Sequence, residues 1–257
     1  LIVGAGVEGC EFAALYSGLG TKVTMIELMA RVLPLEDGDV SSTMERELKK
    51  RGVTVLTGTT VERLERSSEA ITAHLKDGEQ VVAEKLLVSV GRGLNSKGIG
   101  LEQVGVQTGR RGEILVDERM VTTVSGIYAI GDVVGKAMLA QLASAQCKVA
   151  VENILGHLTA IRYVVMPAGI FTLPEIGRVG MTEQQAREKV EAAGQNPDQS
   201  LKVGRFRYAG LGKAQATGDT VGFFKVIAES PSGNILGVHI VGAHAADLVH
   251  EAAMAMQ

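Results

Sequence analysis

Three glycines near the start of the chain have a spacing that can bind a diphosphate. Residues 4–9 read Gly-Ala-Gly-Val-Glu-Gly, which fits the pattern Gly-x-Gly-x-x-Gly. In this pattern the first glycine forms a tight turn, the second lets a pyrophosphate approach the backbone, and the third lets helix and strand pack closely. The free N–H groups and positive dipole end of the following helix would bind the phosphates. The predicted dinucleotide-binding residues of this turn are Gly4, Ala5, Gly6, Val7, Glu8 and Gly9.

An acidic residue follows at the distance that a ribose-binding carboxylate requires. Glu27 ends the predicted strand KVTMIE, close to the ~20 residues that separate such a turn from the acid on the ribose 2′-hydroxyl. A carboxylate there repels a 2′-phosphate, so NAD is favoured over NADP. Arg31 lies beyond the strand end, and we expect it to be a surface residue. The alternative interpretation is a glycine-rich surface turn followed by an incidental strand-end glutamate.

The elements that must position these residues follow from hydrophobic periodicity. The segments LIV, KVTMIE and VTVL are predicted strands, and GCEFAALYSGLG is a predicted helix closed by Gly18 and Gly20. A second, amphipathic helix is expected over residues 39–52, capped by Ser41 or Ser42. Alternating segments then predict an antiparallel meander with a hairpin at Asp77-Gly78. The meander ends at LLVSVGR, a predicted buried strand.

The middle of the chain contains a second candidate for ligand binding. GIYAIGD is a predicted short strand that ends in Gly131-Asp132, and a long, mostly apolar helix follows. An aspartate in this position can accept hydrogen bonds from hydroxyl groups of a ligand, or it can cap the helix. Both interpretations remain open at this point.

The last third of the chain is predicted to form an antiparallel sheet with helices. Strand-like segments begin at AGIFTLPEIGRVGMT, Thr182 caps one helix, and the final residues form another. The first of these strands lacks alternation, and exposed apolar residues occur elsewhere, which is typical of an interface domain.

Composition excludes several classes of function. The 257 residues carry 26 basic and 29 acidic side chains, for a net charge of −3, so we expect neither nucleic-acid nor membrane binding. No apolar run approaches the ~18 residues of a membrane span. Cys10 and Cys147 are too few and too far apart for a disulfide framework or a zinc site, so no metal is expected. The sparse cysteines favour a reducing, cytoplasmic location, or the mitochondrial matrix in a eukaryote.

Taken together, these motifs resemble the pyridine nucleotide–disulfide oxidoreductases. The order of a dinucleotide turn, a meander, Thr122 before VSGIYAIGD, MLA on a helix and FT-x-P-E at the start of a sheet is shared with that family. The resemblance implies an α/β fold with a Rossmann-like NAD-binding domain (1–91), an FAD-contacting region (92–163) and a truncated α+β dimerisation domain (164–257). The branch of the family that oxidises dihydrolipoamide is the most similar.

The resemblance also implies roles for individual residues. Val61 and Gly91 lie where the chain passes the adenosine and nicotinamide portions of NAD. Gly131 and Asp132 would bind the ribitol of FAD, and Glu11 matches a supporting glutamate that pairs with a lysine beside the flavin. A first-turn helix acid that interacts with the helix dipole is an equal interpretation of Glu11. The predicted flavin-lining residues are Met138, Leu139, Ala140 and Gln141.

Two residues depart from the family pattern, which has histidine at Gln141 and glycine at Cys147. We expect Cys147 to be packed on its apolar helix, Cys10 to have no redox role, and His239, His244 and His250 to occupy ordinary polar positions. The family's first glycine turn, its Cys-x-x-x-x-Cys pair and its C-terminal His-Glu pair are absent. The resemblance therefore predicts an internal fragment, inactive alone, of a homodimeric enzyme.

In the predicted reaction, dihydrolipoamide, free or on a lipoyl domain of a 2-oxoacid dehydrogenase complex, reduces the disulfide, then the flavin, and finally NAD⁺. Two alternatives stay open. One is a related flavoprotein disulfide reductase, of the mercuric reductase, glutathione reductase or NADH oxidase type. The other is a non-catalytic NAD-binding module.

Overall fold

The computed structural model describes all residues from Leu1 to Gln257. The chain divides into two compact units: Leu1–Gly91 with Pro167–Gln257 form the first, and Arg92–Met166 form the second. The first unit contains a parallel sheet and two antiparallel sheets. The predicted α/β class, with a Rossmann-like parallel sheet, a meander and an α+β region, is confirmed.

A four-stranded parallel sheet with the order β3-β2-β1-β7 carries the predicted dinucleotide turn. The elements of this region are β1 (Ile2–Val3), α1 (Val7–Gly18), β2 (Thr24–Glu27), α2 (Gly38–Lys50), β3 (Thr54–Thr57), β4 (Val61–Arg66), β5 (Ile71–Leu75), β6 (Gln80–Ala83) and β7 (Leu87–Val88). Small side chains on α1, among them Ala13 and Ala14, are buried against the sheet. The close approach of this helix to β1 brings its first turn to the end of the strand.

The second helix begins at a different residue from the one predicted. Asp37 is the N-cap of α2, and its carboxylate accepts a hydrogen bond from the Asp39 N–H at 3.0 Å. The prediction of a Ser41 or Ser42 cap was wrong, because the helix begins four residues before Ser42. Ser41 is buried inside the helix, and its hydroxyl donates to the Leu33 carbonyl at 3.0 Å.

The meander is a three-stranded antiparallel sheet, β4-β5-β6. The predicted hairpin at Asp77-Gly78 is confirmed, since Gly78 donates to the Leu75 carbonyl in the turn between β5 and β6. The prediction of a long buried strand at residues 86–92 was wrong. Only Leu87–Val88 pair, at the edge of the parallel sheet, and the side chains of Val88 and Val90 are exposed.

The second unit contains one long helix, α3 (Ala140–Ile154). Single-turn 3₁₀ helices lie at Glu102–Val104, Asp132–Val134 and Tyr163–Val165. The predicted strand GIYAIGD was wrong: Tyr128 forms only an isolated bridge with Val121. Gly126 and Gly131, which have left-handed backbone conformations, lie at the two ends of this segment. They leave too few residues between them for a regular strand.

The C-terminal part of the first unit is a five-stranded antiparallel sheet, ordered β10-β11-β12-β9-β8. Its elements are β8 (Ala168–Ile170), β9 (Ile176–Gly180), α4 (Glu183–Ala192), α5 (Pro197–Ser200), β10 (Leu201–Arg207), α6 (Gly212–Thr217), β11 (Phe223–Glu229), β12 (Ile235–Val241) and α7 (Ala245–Ala255). The predicted Thr182 cap is confirmed, in a capping box with Gln185. No helix of the structure has the length and apolar character that crossing a bilayer requires.

Candidate dinucleotide-binding site

The glycine turn lies between β1 and α1, and each glycine has a separate steric reason. Gly4 has φ +100°, and a Cβ there would lie far inside van der Waals contact of the Ser89 carbonyl oxygen. A Cβ on Gly9 would overlap the Gly4 carbonyl oxygen in the same way. Gly6, the N-cap of α1, has φ −71° and no atom within 4 Å of the place its Cβ would occupy. Gly4 and Gly9 therefore maintain the turn, whereas Gly6 leaves space beside the helix N-terminus for a ligand.

The Glu27 carboxylate lies directly on this turn. Its Oε2 accepts the Ala5 N–H at 2.6 Å, and its Oε1 accepts the Met29 N–H at 2.8 Å. The side chain is 8% exposed. A carboxylate offers about four lone-pair positions, so each oxygen keeps an acceptor site for a ligand hydroxyl. The structure thus brings together the two features that the sequence placed far apart.

The remaining residues predicted for this region, Val61 and Gly91, follow β3 and β7 in the chain. Val61 begins β4, two residues after Thr59, whose N–H donates to the Glu27 carbonyl. Gly91 is exposed with φ +108° and follows Ser89, whose carbonyl faces Gly4.

Arg31, which was predicted to be a surface residue, also stabilises the segment that follows β2. Arg31 is only partly exposed, and its guanidinium donates to the carbonyls of Pro34 and Glu36 at 3.0 Å each. The segment after β2 folds back on itself, and these two carbonyls have Arg31 as their donor.

Two side chains of α1 near the turn, Cys10 and Glu11, make hydrogen bonds that stabilise the fold. Cys10 is fully buried and donates from Sγ to the Ala5 carbonyl at 3.4 Å. Burial raises the pKa of Cys10 to about 12, which disfavours its thiolate at neutral pH. Glu11 accepts the Phe171 N–H at 2.8 Å, which joins α1 to the turn between β8 and β9.

The residues predicted to contact a flavin lie in the second unit. Asp132 is exposed and begins a 3₁₀ turn, and α3 starts eight residues later at Ala140, so the helix-cap interpretation of Asp132 is wrong. The N–H of Gly131 donates to Gln146 Oε1 at 2.7 Å, and Gln146 Nε2 donates to the Tyr163 hydroxyl at 3.2 Å. Met138, Leu139, Ala140 and Gln141 run from the preceding loop into the first turn of α3.

The role of Gln146 was missed in the sequence. This side chain is fully buried and fixes the Gly131 backbone next to Asp132, yet nothing in its sequence neighbourhood distinguishes it from other polar helix residues. Cys147, the next residue, was predicted to be packed and is exposed. Cys147 follows the buried Gln146 directly on α3, so its side chain projects away from the buried face of the helix.

His239 was predicted to occupy an ordinary polar position, and this was wrong. It is completely buried in β12, and Nε2 lies 2.9 Å from the Met181 carbonyl, while Nδ1 has no hydrogen-bond partner. A carbonyl accepts, so the ring carries its proton on Nε2. Burial lowers the pKa of His239, and the charges of Lys225 and Arg178 act in the same direction, against the hydrogen bond to Met181 and the charge of Asp37.

The stability of the protein should therefore depend on His239 in mildly acid solution. Because the folded-state pKa lies below the ordinary value of 6.5, the unfolded chain binds a proton that the native state refuses. Stability is complete above about pH 6.5 and falls by up to ~1.4 kcal/mol per pH unit below it, until the folded pKa is reached. In His239→Gln the new side chain can still donate to the Met181 carbonyl. We expect the melting temperature of this variant to change less between pH 7.5 and 5.5 than that of the wild type. Parallel curves for the two proteins would contradict this.

Glu36 should change the stability of the protein with pH in the direction opposite to His239. Its buried carboxylate pairs with Arg178 at 2.9 Å, and burial raises its pKa above 4.5 despite this partner. Acidification toward that pKa therefore favours the folded state at Glu36, opposite to the effect at His239. A loss of stability on acidification in this window is thus not attributable to Glu36.

Two models of one protein family match most of the chain. A family model described as pyridine nucleotide-disulphide oxidoreductase matches residues 1–147. A second, described as the dimerisation domain of the same family, matches residues 166–257. The chain belongs to this family. The first matched range contains the parallel sheet and the glycine turn, and the second contains the C-terminal antiparallel sheet.

Individual relatives cover the whole chain but are longer. The chain is 41% identical to a dihydrolipoyl dehydrogenase of Bacillus subtilis and 40% identical to one of Corynebacterium glutamicum, covering 99% of this chain and 53% and 55% of those proteins. Among solved structures, LpdA of Mycobacterium tuberculosis superposes with a TM-score of 0.89 at 31% identity, covering 100% of this chain and 54% of that one. The flavoprotein disulfide reductase RclA of Escherichia coli gives 0.87 at 28% identity, with 99% and 57% coverage. The chain spans about half the length of the relatives it matches.

Proposed function

We propose that this chain is the NAD-binding and interface part of a dihydrolipoyl dehydrogenase, which oxidises dihydrolipoamide and reduces NAD⁺ with FAD as intermediate carrier. The observation that carries this proposal is the Glu27 carboxylate, which lies 2.6 Å from the Ala5 N–H on the glycine turn. An acid in this position binds the ribose hydroxyls of NAD. The 40–41% identity to enzymes of that name supports the choice within the family.

The residues of the turn fit NAD. The α1 N-terminus has no side-chain cap, and the open space at Gly6 allows a pyrophosphate to approach it closely. Val61 and Gly91 would contact the adenosine and nicotinamide portions. In this role the protein binds and orients the nicotinamide for hydride transfer, and the cofactors supply the redox chemistry.

The second unit fits part of an FAD site. The exposed Asp132 carboxylate can accept a hydrogen bond from a ribitol hydroxyl, and Gln146 fixes the backbone of Gly131 beside it. Met138 is exposed just before α3 and would line the flavin with the three residues that follow it. When bound, FAD would supply the chemistry that passes electrons from thiols to NAD⁺.

The proposed partners follow from the C-terminal sheet. The match to a dimerisation domain supports a homodimer, and large apolar side chains on this part of the chain are exposed, as dimer interfaces require: Phe171, Leu173, Leu248 and Met254. We propose that the dihydrolipoamide substrate is carried on a lipoyl domain of a 2-oxoacid dehydrogenase complex, in the cytoplasm. A related flavoprotein disulfide reductase would use the same nucleotide site, and the RclA likeness keeps this as the second candidate.

Cofactor discrimination tests the proposal on the 257-residue chain. We expect calorimetric titration to show tighter binding of NADH than of NADPH, because Glu27 repels a 2′-phosphate. In Glu27→Gln one acceptor oxygen remains but the charge is lost, so NADH affinity should fall by about 10–100-fold, the equivalent of one charge-assisted hydrogen bond. NADPH affinity should fall less, so that the preference for NADH narrows.

Equal affinity of the wild-type chain for both nucleotides, or no binding of either, would overturn the assignment of Glu27. Because Glu27 also accepts two backbone N–H groups, thermal melting of each variant must accompany the titration. The choice of substrate needs the longer protein that contains this chain. Reduction of NAD⁺ by dihydrolipoamide would support the dehydrogenase, whereas activity with another disulfide substrate alone would favour the second candidate.

A further inference from the structure

Four basic side chains form one row across the C-terminal sheet. Arg205 on β10 is paired with Lys225 on β11, Lys225 with His239 on β12, and His239 with Arg178 on β9. Directly paired residues of antiparallel strands project from the same face, so these side chains are neighbours. We refer to them as the basic row. The charged members of the row, Arg178, Arg205 and Lys225, need acidic partners where they are buried.

The acids that face the basic row come from the nucleotide-binding region, at the start of α2. Glu36 contacts Arg178 at 2.9 Å, Asp37 contacts Lys225 at 2.6 Å, and Asp39 contacts Lys225 at 2.8 Å and Arg205 at 2.9 Å. Glu183, the first residue of α4, adds a contact to Lys225 at 2.9 Å. Ion pairs therefore hold the start of α2 against the C-terminal sheet.

Asp37 and Lys225 form the buried centre of this attachment, at 1% and 2% exposure. Asp37 Oδ1 accepts from Lys225 and from the Asp39 N–H, and Oδ2 accepts from the Glu183 N–H at 3.0 Å. One carboxylate thus contacts the N-termini of both α2 and α4. Burial disfavours both charges, but their hydrogen bonds outweigh it, so the pKa of Asp37 is lowered and that of Lys225 is raised. Both groups are ionised at neutral pH.

A hydrogen-bonded path leads from this centre to the glycine turn. Asp37 caps α2, and Ser41 in the first turn of that helix donates to the Leu33 carbonyl at 3.0 Å. The Leu33 N–H in turn donates to the Ala5 carbonyl at 2.8 Å. Leu33 is buried and has φ +46°, a conformation that leucine adopts only when its surroundings enforce it. The segment that backs the dinucleotide turn is therefore fixed through α2.

We propose that Lys225 of the C-terminal sheet is a positioning residue for dinucleotide binding. It would act on the glycine turn through Asp37, α2 and Leu33. This inference rests on the proposed binding of NAD at that turn. It gives the C-terminal sheet a role in nucleotide affinity besides assembly. Lys225 does not touch the nucleotide in this scheme, so its effect must appear in the geometry of the turn.

The test compares Lys225→Met with Arg205→Met in the 257-residue chain. Arg205 contacts Asp39 and Glu183, as Lys225 does, but not Asp37. Fluorescence titration with NADH is expected to show about a tenfold or greater rise in Kd for Lys225→Met and less than about a twofold rise for Arg205→Met. Hydrogen exchange at the Leu33 and Met29 amides should accelerate in Lys225→Met alone.

A second variant separates positioning from folding, since Lys225→Met leaves Asp37 buried without its counter-ion. In Asp37→Asn/Lys225→Met no buried charge is stranded, and the asparagine Oδ1 can still cap α2, while the Glu183 N–H loses its acceptor. We expect this double variant to recover most of the thermal stability that Lys225→Met loses, but to keep the weakened NADH binding and the faster Leu33 exchange.

Recovery of both stability and affinity in the double variant would overturn the inference and leave Lys225 with a structural role alone. Unchanged Leu33 exchange in either Lys225 variant would overturn it as well, whether or not NADH binds. Failure of the wild-type chain to bind NADH is a different result, because it contradicts the proposed function and leaves the exchange measurement to decide the coupling.

Discussion

Replacing Gly6 with valine is expected to raise the Kd for NADH by about 100-fold or more while the protein stays folded. Gly6 has an ordinary φ of −71°, and no atom lies within 4 Å of the place where a Cβ would be. The Cβ of the new side chain therefore has open space around it, and we expect the cost to folding to be close to the N-cap preference of α1, about 1 kcal/mol. The same side chain would occupy the space through which a pyrophosphate must approach the helix N-terminus.

Gly9→Ala is the matched control on the same turn. Its Cβ would overlap the Gly4 carbonyl oxygen, a backbone atom that cannot move without displacing β1 from α1. This variant should lose stability first, by about 3 kcal/mol, and binding only as a consequence. Isothermal titration with NADH and thermal melting of both variants separate the two effects. A Gly6→Val protein with wild-type NADH affinity would show that the phosphates do not pass this glycine.

The parallel sheet and its turn were predictable because their signals are local. A strand, a Gly-x-Gly-x-x-Gly turn, a helix and a strand ending in Glu27 follow one another within 27 residues, so spacing alone defines the crevice. The Thr182 capping box and the Asp77-Gly78 hairpin are local in the same sense. Each is confirmed because its hydrogen bonds join residues that are near in sequence.

The errors concern properties that depend on distant partners. Asp37 outcompetes Ser41 as the cap of α2 because its carboxylate also has Lys225 and the Glu183 N–H as partners, far along the chain. His239 was predicted to occupy an ordinary polar position, yet it is buried, like Lys225 opposite it on β11, on the sheet face that the start of α2 contacts. No periodicity within a strand reveals which other element packs on it.

The same limit applies to glycines inside strands. In sequence, Gly177 on β9 and Gly204 on β10 are equivalent interruptions of a strand pattern. In the structure, Gly177 is buried, and a Cβ there would overlap the Ala245 carbonyl oxygen at the start of α7 and press on Val249. Gly204 is exposed, with open space around its Cβ position.

Gly177→Ala is therefore expected to destabilise the C-terminal sheet by about 3 kcal/mol or more, because α7 must move away from β9 to admit one methyl group. Because α7 packs on both β9 and β12, the loss of stability should extend to the sheet as a whole. Gly204→Ala should be neutral or slightly stabilising, since alanine restricts the unfolded chain and fits the strand without strain. Chemical denaturation of the two variants measures the difference. Equal midpoints would show that α7 does not pack on β9 as closely as Gly177 requires.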